Sequence, residues 1–131
     1  MEGPAKHLRL ERSFPPRPDA CPKVREFVRQ ALTAMGLARL VPDCELLAGE
    51  MAVNAVFHAR TYFSVVVERP RARTARIEVH DQSHDLPRRK PSTDGDPLIL
   101  GRGMQIIAEV PDRSGVESTA SGKCVWVEVD G

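Results

Sequence analysis

Charge of one sign is what this chain lacks most. Its 19 Lys and Arg face 18 Asp and Glu, for a net charge of +1. That balance argues against nucleic acid or an anionic membrane as the main partner, because such binders carry a basic excess. Long apolar runs are missing too. None approaches the ~18 residues needed to span a bilayer, and the opening MEGPAKHLRLERS has no continuous apolar stretch of the kind a signal peptide needs. Cysteine is scarce: Cys21, Cys44 and Cys124 are odd in number and form no CxxC pair. Neither a disulfide framework nor a zinc site is indicated by that spacing, so the expectation is a cytoplasmic protein with reduced thiols. Among the 131 residues, 41% are hydrophobic and 28% charged, enough to fill one core and cover it. Proline is abundant, with 11 residues placed mainly between periodic segments.

Periodicity divides the chain into elements. His7 to Arg12 alternates Leu8 and Leu10 against polar neighbours, as a half-buried strand does. The proline-rich stretch from Ser13 to Pro22 then delays a helix, for which Asp19 or Pro22 supplies the start. Val24, Phe27, Val28, Ala31, Leu32 and Met35 form one helical stripe, and Gly36 stops it. Pro42 and Asp43 open a second helix, expected to run to about Ala59. Tyr62–Arg69 and Thr74–His80 suit an antiparallel hairpin with Pro70-Arg71-Ala72-Arg73 at its tip. From Asp81 to Leu100 no periodicity appears, which marks a functional lid or an insert. A short helix after Gly103 ends at Pro111, and strands at Gly115–Thr119 and Lys123–Val129 flank a turn at Ala120-Ser121-Gly122. Segregated helices and hairpin connections predict an α+β fold, a two-layer α/β sandwich with a mostly antiparallel or mixed sheet covered by helices on one face.

The second helix holds the most informative pattern. Leu46 to Ala59 reads LLAGEMAVNAVFHA, in which the only polar side chains are Glu50, Asn54 and His58. On an ideal helix the three lie within about 80° of one another, spread over about 12 Å of axis. Leu46, Leu47, Met51, Val53 and Phe57 border them. A carboxylate and an amide in such a seam cost several kcal/mol each if left unpaired, so a closed polar network, a solvent edge or a polar ligand must satisfy them. Asp81 follows an alternating strand and leads into the long loop, a common ligand position although Asp is also a routine turn starter. Gly101-Arg102-Gly103-Met104 stands between loop and helix, where two glycines let backbone N–H groups meet an anion such as phosphate. A GxG alone is not specific.

In that order, E-x3-N-x3-H on a helix, a strand-terminal Asp, a long lid, a GxG helix start and a final G-K-x-V-W strand resemble the GHKL (histidine-kinase-like) ATPase superfamily. Within it, the chain is most similar to the small bacterial serine/threonine kinases that act as anti-sigma factors. ELLAGEMAVNAVFHA resembles the family's N box, IEVHD its adenine-side box and GRGMQII its second glycine box, so the likeness spans nearly the whole chain, residues 1–131, as one domain with a Bergerat-type ATP-binding fold.

The resemblance implies ATP and Mg²⁺ as cofactors. Asn54 would hold the metal, Glu50 would act as general base or position the attacking hydroxyl, and His58 would contact phosphate or steady the pocket. Asp81 would accept from the adenine amino group. Gly101, Arg102, Gly103 and Met104 would form the phosphate turn, and residues 83–100 the lid. The chemistry is compatible on other grounds. Mg²⁺ keeps most of its waters and needs few protein oxygens, while phosphoryl transfer needs positioning and a carboxylate for the hydroxyl proton. The partners implied are a sigma factor and a STAS-type anti-anti-sigma protein, in the cytoplasm. No direct contact with nucleic acid or membrane is implied. A homodimer is compatible with the family, though nothing in the composition requires one. The family usually has glycine where this chain has Ser83, and often threonine at the position matched here to Cys124. Those departures keep a second reading open, a non-catalytic or weakly nucleotide-binding module that sequesters a sigma factor or another regulator.

Elsewhere the plainer explanation is preferred. His80 and His84 flank Asp81 at i and i+4, but they lie in a strand end and a loop, where helical spacing does not bring ligands together. The clusters Arg69–Arg73 and Arg88-Arg89-Lys90 read as solvated surface. Trp126 alternates with Val125 and Val127, which sets it on the face away from the core, toward solvent or a partner.

Overall fold

The computed structural model describes residues 8–85 and 106–131. Their elements, in chain order, are β1 (Leu8–Phe14), α1 (Ala20–Ala34), a 3-10 turn (Ala38–Leu40), α2 (Val41–Val53), a π-helical turn (Asn54–Ala59), β2 (Phe63–Arg71), β3 (Thr74–Asp81), β4 (Arg113–Thr119) and β5 (Gly122–Asp130). Residues 106–109 are also helical. Among the described residues, no helix is long and apolar enough to cross a membrane.

The five strands form one sheet in the order β1-β2-β3-β5-β4, with every pairing antiparallel. The helices cover one face, giving the α+β two-layer sandwich expected from the sequence. Period-two alternation supplies the sheet's share of the core: Phe63, Val65 and Val67 on β2, Ala75, Ile77 and Val79 on β3, and Val125, Val127 and Val129 on β5. The stripe Val24, Val28, Ala31 and Leu32 turns α1 onto this surface, as Leu47, Ala48, Met51 and Ala52 turn α2. Burying such side chains supplies about 1.5–3 kcal/mol for each large one. Gly36 ends the α1 turn at φ +78°, a left-handed conformation that glycine adopts without strain, and the Leu37 N–H then closes on the Leu32 carbonyl at 2.8 Å.

Several boundaries differ from the sequence-based expectation. β1 continues through Ser13 to Phe14, because Phe14 pairs with Phe63 in register and stacks on its ring with centroids 5.6 Å apart. β4 begins at Arg113 rather than Gly115, drawn outward by pairing of Arg113 with Glu128. The 3-10 turn at Ala38–Leu40 carries no apolar period long enough to announce it. The second helix does reach Ala59, but its last six residues are π-helical and end on Arg60 at φ +58°. The proposed lid at 83–100 lies outside the described residues from 86 onward.

Candidate functional site

Glu50, Asn54 and His58 begin on one helix and end in three environments. Glu50 sits in regular α-helix and is half-buried. Its Oε1 is buried with no hydrogen-bond partner among the described residues. Burial pushes the Glu50 carboxyl above its ordinary range, and the positive charge of Arg25 on α1 offsets part of that rise. Arg25 reaches this place across Gly49, where an added Cβ would lie 3.3 Å from its guanidinium. Asn54, 8% exposed, stands where α-helix becomes π-helix. The wider π turn changes the angular step after Asn54, and His58 is exposed rather than continuing the buried seam. Of the three groups expected on one narrow face, Asn54 is buried, Glu50 half-buried and His58 exposed. Single π turns inside α-helices occur frequently at functional sites.

At the end of β3, Asp81 is 5% exposed. Its Oδ2 meets Lys123 Nζ at 2.9 Å, and its Oδ1 accepts from Lys123 at 3.1 Å and from the Ser83 N–H at 2.9 Å. Lys123 is itself buried. The pairing register sets Asp81 opposite Lys123 and His80 opposite Cys124. Side chains alternate along a strand, so Cys124 points to the face away from the helices, with its Sγ 3.6 Å from His80 Nε2. The position that meets the Asp81 carboxylate is thus Lys123, and the assignment of Cys124 to the adenine side is corrected by one residue. Gly122 makes this approach feasible: a Cβ there would fall 1.9 Å from the Asp81 carbonyl oxygen. Ser83, in place of glycine, leaves its N–H on Asp81 and accepts from the Asp85 N–H at 3.1 Å.

Sequence reasoning missed Arg25 and Lys123. Lys123 was findable, since it lies one residue before Cys124 and so on the same face as Val125 and Val127. Arg25 had no comparable signal, because its position depends on how two helices cross. Gly101, Arg102, Gly103 and Met104 lie outside the described residues.

The described donors suit the groups that the sequence implied. Glu50 brings a buried oxygen without a hydrogen-bond partner, and Asn54 stands one turn away with an amide oxygen. Carboxylate and amide oxygens are the donor class that Mg²⁺ takes, with waters and phosphate oxygens completing its shell. Asp81 uses three of the roughly four acceptor positions of a carboxylate, which leaves capacity for one further donor such as an exocyclic amine.

Comparison with known proteins identifies the family and the fold. The family described as histidine kinase-like ATPase domain matches residues 14–129. No curated protein sequence matches the chain. Among solved structures, the crystal structure of the RsbU and RsbW domains of Rv1364c from Mycobacterium tuberculosis superposes with a TM-score of 0.70 at 16% identity. That match covers 94% of this chain and 32% of the other, so the present chain spans about a third of that protein's length. At such identity the likeness is one of fold.

Proposed function

The chain belongs to the histidine kinase-like ATPase domain family, and from that premise we propose that it is an ATP- and Mg²⁺-dependent serine/threonine protein kinase of the anti-sigma type. The observation that carries this reading is the buried, unpartnered Glu50 oxygen one helical turn before Asn54. In this reading residues 1–131 act as one cytoplasmic nucleotide-binding domain, with 83–100 as its lid and Gly101-Arg102-Gly103-Met104 as its phosphate turn. The partners are a sigma factor, which the chain sequesters, and a STAS-type anti-anti-sigma protein, which it phosphorylates.

The division of labour follows from the side chains. Asn54 is the residue that would hold Mg²⁺, and the ion supplies charge neutralisation to the nucleotide phosphates. Glu50, with its carboxyl raised by burial, is poised to take the proton from an attacking seryl or threonyl hydroxyl. The positive charge of Arg25 offsets part of that rise. Asp81, held by Lys123 and Ser83, presents its remaining acceptor position to the adenine amino group. His58, which is exposed in the π turn, would contact phosphate or steady the pocket.

Titration calorimetry tests the assignment. Mg-ATP binding to the wild-type chain is expected, with loss of measurable affinity in Asn54→Ala. Glu50→Gln should retain ATP binding and lose transfer of radiolabelled γ-phosphate to the partner. Unchanged affinity in Asn54→Ala sinks the site assignment. The Asp81–Lys123 ion pair favours the second reading, an interaction module without catalysis, because it commits most of the adenine-facing carboxylate to the protein. That reading ends with any observation of phosphate transfer by the wild-type chain.

A further inference from the structure

The nucleotide reading uses the helix-covered side of the sheet. Its opposite side carries a second chemical cluster. Antiparallel register sets Ser13, Ser64, His80, Cys124 and Glu117 side by side in one row across the strands. Glu78 stands two residues before His80 on β3 and so faces the same way. Its Oε1 lies 2.8 Å from His80 Nε2, and that nitrogen lies 3.6 Å from Cys124 Sγ. Carboxylate oxygen, imidazole nitrogen and sulfur all lie within 4.8 Å of one another.

We propose that Glu78, His80 and Cys124 form a binding site for a thiophilic divalent metal of the Zn²⁺ class, distinct from the Mg²⁺ that accompanies the nucleotide. Nitrogen and sulfur ligands on one tetrahedral zinc, at about 2.0 and 2.3 Å from it, are themselves about 3.6 Å apart. The His80–Cys124 separation has that value before any ion arrives. The Glu78–His80 contact is shorter, as a hydrogen bond should be, and a carboxylate rotation opens it. Binding exchanges the Cys124 thiol proton for the cation, and His80 passes from the tautomer that donates Nε2–H to Glu78 to the one with its ring proton on Nδ1, which frees the Nε2 lone pair. A thiolate ligand selects against Mg²⁺ and Ca²⁺, which prefer oxygen. Glu117, across from Cys124 on β4, or a water completes the tetrahedron.

The surroundings support a held site rather than a chance meeting of side chains. Two ligands lie on β3 and one on β5, adjacent strands whose pairing is continuous from Thr74–Asp130 to Asp81–Lys123. The second oxygen of Glu78 accepts from Arg76 Nε at 2.7 Å, and Arg76 is anchored by Glu128 at 2.9 Å. Such outer contacts orient ligating carboxylates. His80 also lines a concavity of about 220 Å³, together with Ser13, Ser64, Thr119 and Ser121, which gives a cation an approach. Cys124 is buried beside His80.

The test is titration of the reduced full chain with Co²⁺. A thiolate-to-cobalt charge-transfer band should appear at one equivalent, disappear on adding Zn²⁺ and persist in excess Mg²⁺. Cys124→Ser should abolish the band, and His80→Asn and Glu78→Gln should each weaken Co²⁺ binding tenfold or more. Circular dichroism and thermal unfolding report whether each variant is folded. Zn²⁺ should raise the wild-type unfolding temperature and leave that of Cys124→Ser unchanged, a readout that needs no spectrum. Asn54→Ala should keep the band, which separates this site from the nucleotide site. Absence of the band in the wild type, its survival in Cys124→Ser, or its loss in Asn54→Ala overturns the proposal.

Discussion

The two faces of the sheet are built from the same strands by opposite means. On the helix-covered face, Val65, Ile77, Val79 and Val127 pack against α1 and α2, the Asp81–Lys123 pair lies at one end, and Arg69 donates to the Met35 carbonyl at 2.9 Å toward the other. One residue along each strand, the other face carries Glu68, Arg76, Glu78, His80 and Glu128. Arg9, Glu68, Arg76, Glu128 and Arg113 form a row of alternating sign across the strands. Arg76 lies 4.3 Å over the Trp126 ring, and Gly115 opposite leaves room for that ring, since a Cβ there would lie 2.8 Å from it. Beneath these side chains Val66 is fully buried. A buried charge on the first face depends on a few specific partners. A charge on the second is shared among neighbours.

That contrast is broken most severely at Lys123. In Lys123→Met the Asp81 carboxylate stays buried without its cation, and removing one partner of a buried pair costs about 3–5 kcal/mol. Chemical denaturation should show that loss at neutral pH. The double variant Asp81→Asn/Lys123→Met should recover most of it, because no uncompensated charge remains. If the single variant were as stable as the wild type, the pair would be solvated and the two faces would not differ in this respect. Next comes Ile77→Ala on the same face, where a large side chain with no exposed surface leaves a cavity. The expected cost is about 2–5 kcal/mol by the same measurement.

These residues also show how far the sequence was legible. Ile77, Val125 and Val127 announce their face by alternation, and Val24 to Leu32 announce theirs by helical spacing, so the two layers and the hairpins followed from patterning, whereas the β1–β2 and β3–β5 pairings did not. Glu50 and Asn54 stood out because a polar pair in an apolar helix needs a reason. The exposure of His58 was not legible, because a π turn has no sequence period that distinguishes it from α-helix at this length. Cys124 was misassigned by one residue, and in a strand one residue is the whole difference between faces. The Glu78–His80–Cys124 cluster joins residues far apart in sequence through β3–β5 register, and register is a tertiary property that the separate strands do not encode.

The mildest effect belongs to Glu128 on the charged face, and its pH dependence sharpens the comparison. Burial alone would raise its carboxyl, but hydrogen bonds from Arg113 at 2.7 Å, Arg76 at 2.9 Å and Arg71 at 3.1 Å outweigh that and hold it below the ordinary value of 4.5. A carboxyl with a depressed folded-state pKa contributes stability above its unfolded value and loses it as pH falls through the folded value. Glu128→Gln should therefore destabilise the chain near neutral pH by about 1 kcal/mol in low salt, less as salt rises. The two proteins should converge as pH falls through the depressed folded-state value, below the ordinary 4.5, where the wild-type carboxyl takes up its proton. The modest size is itself informative. When Glu128 is neutralised, Arg76 retains Glu78 at 2.7 Å, Arg113 retains Asp130 at 2.6 Å and Arg71 is exposed to solvent, so no buried cation is stranded. A loss as large as that of Lys123→Met, or one that persists unchanged into acid, would mean that the charged face depends on a single buried anion rather than on a shared row.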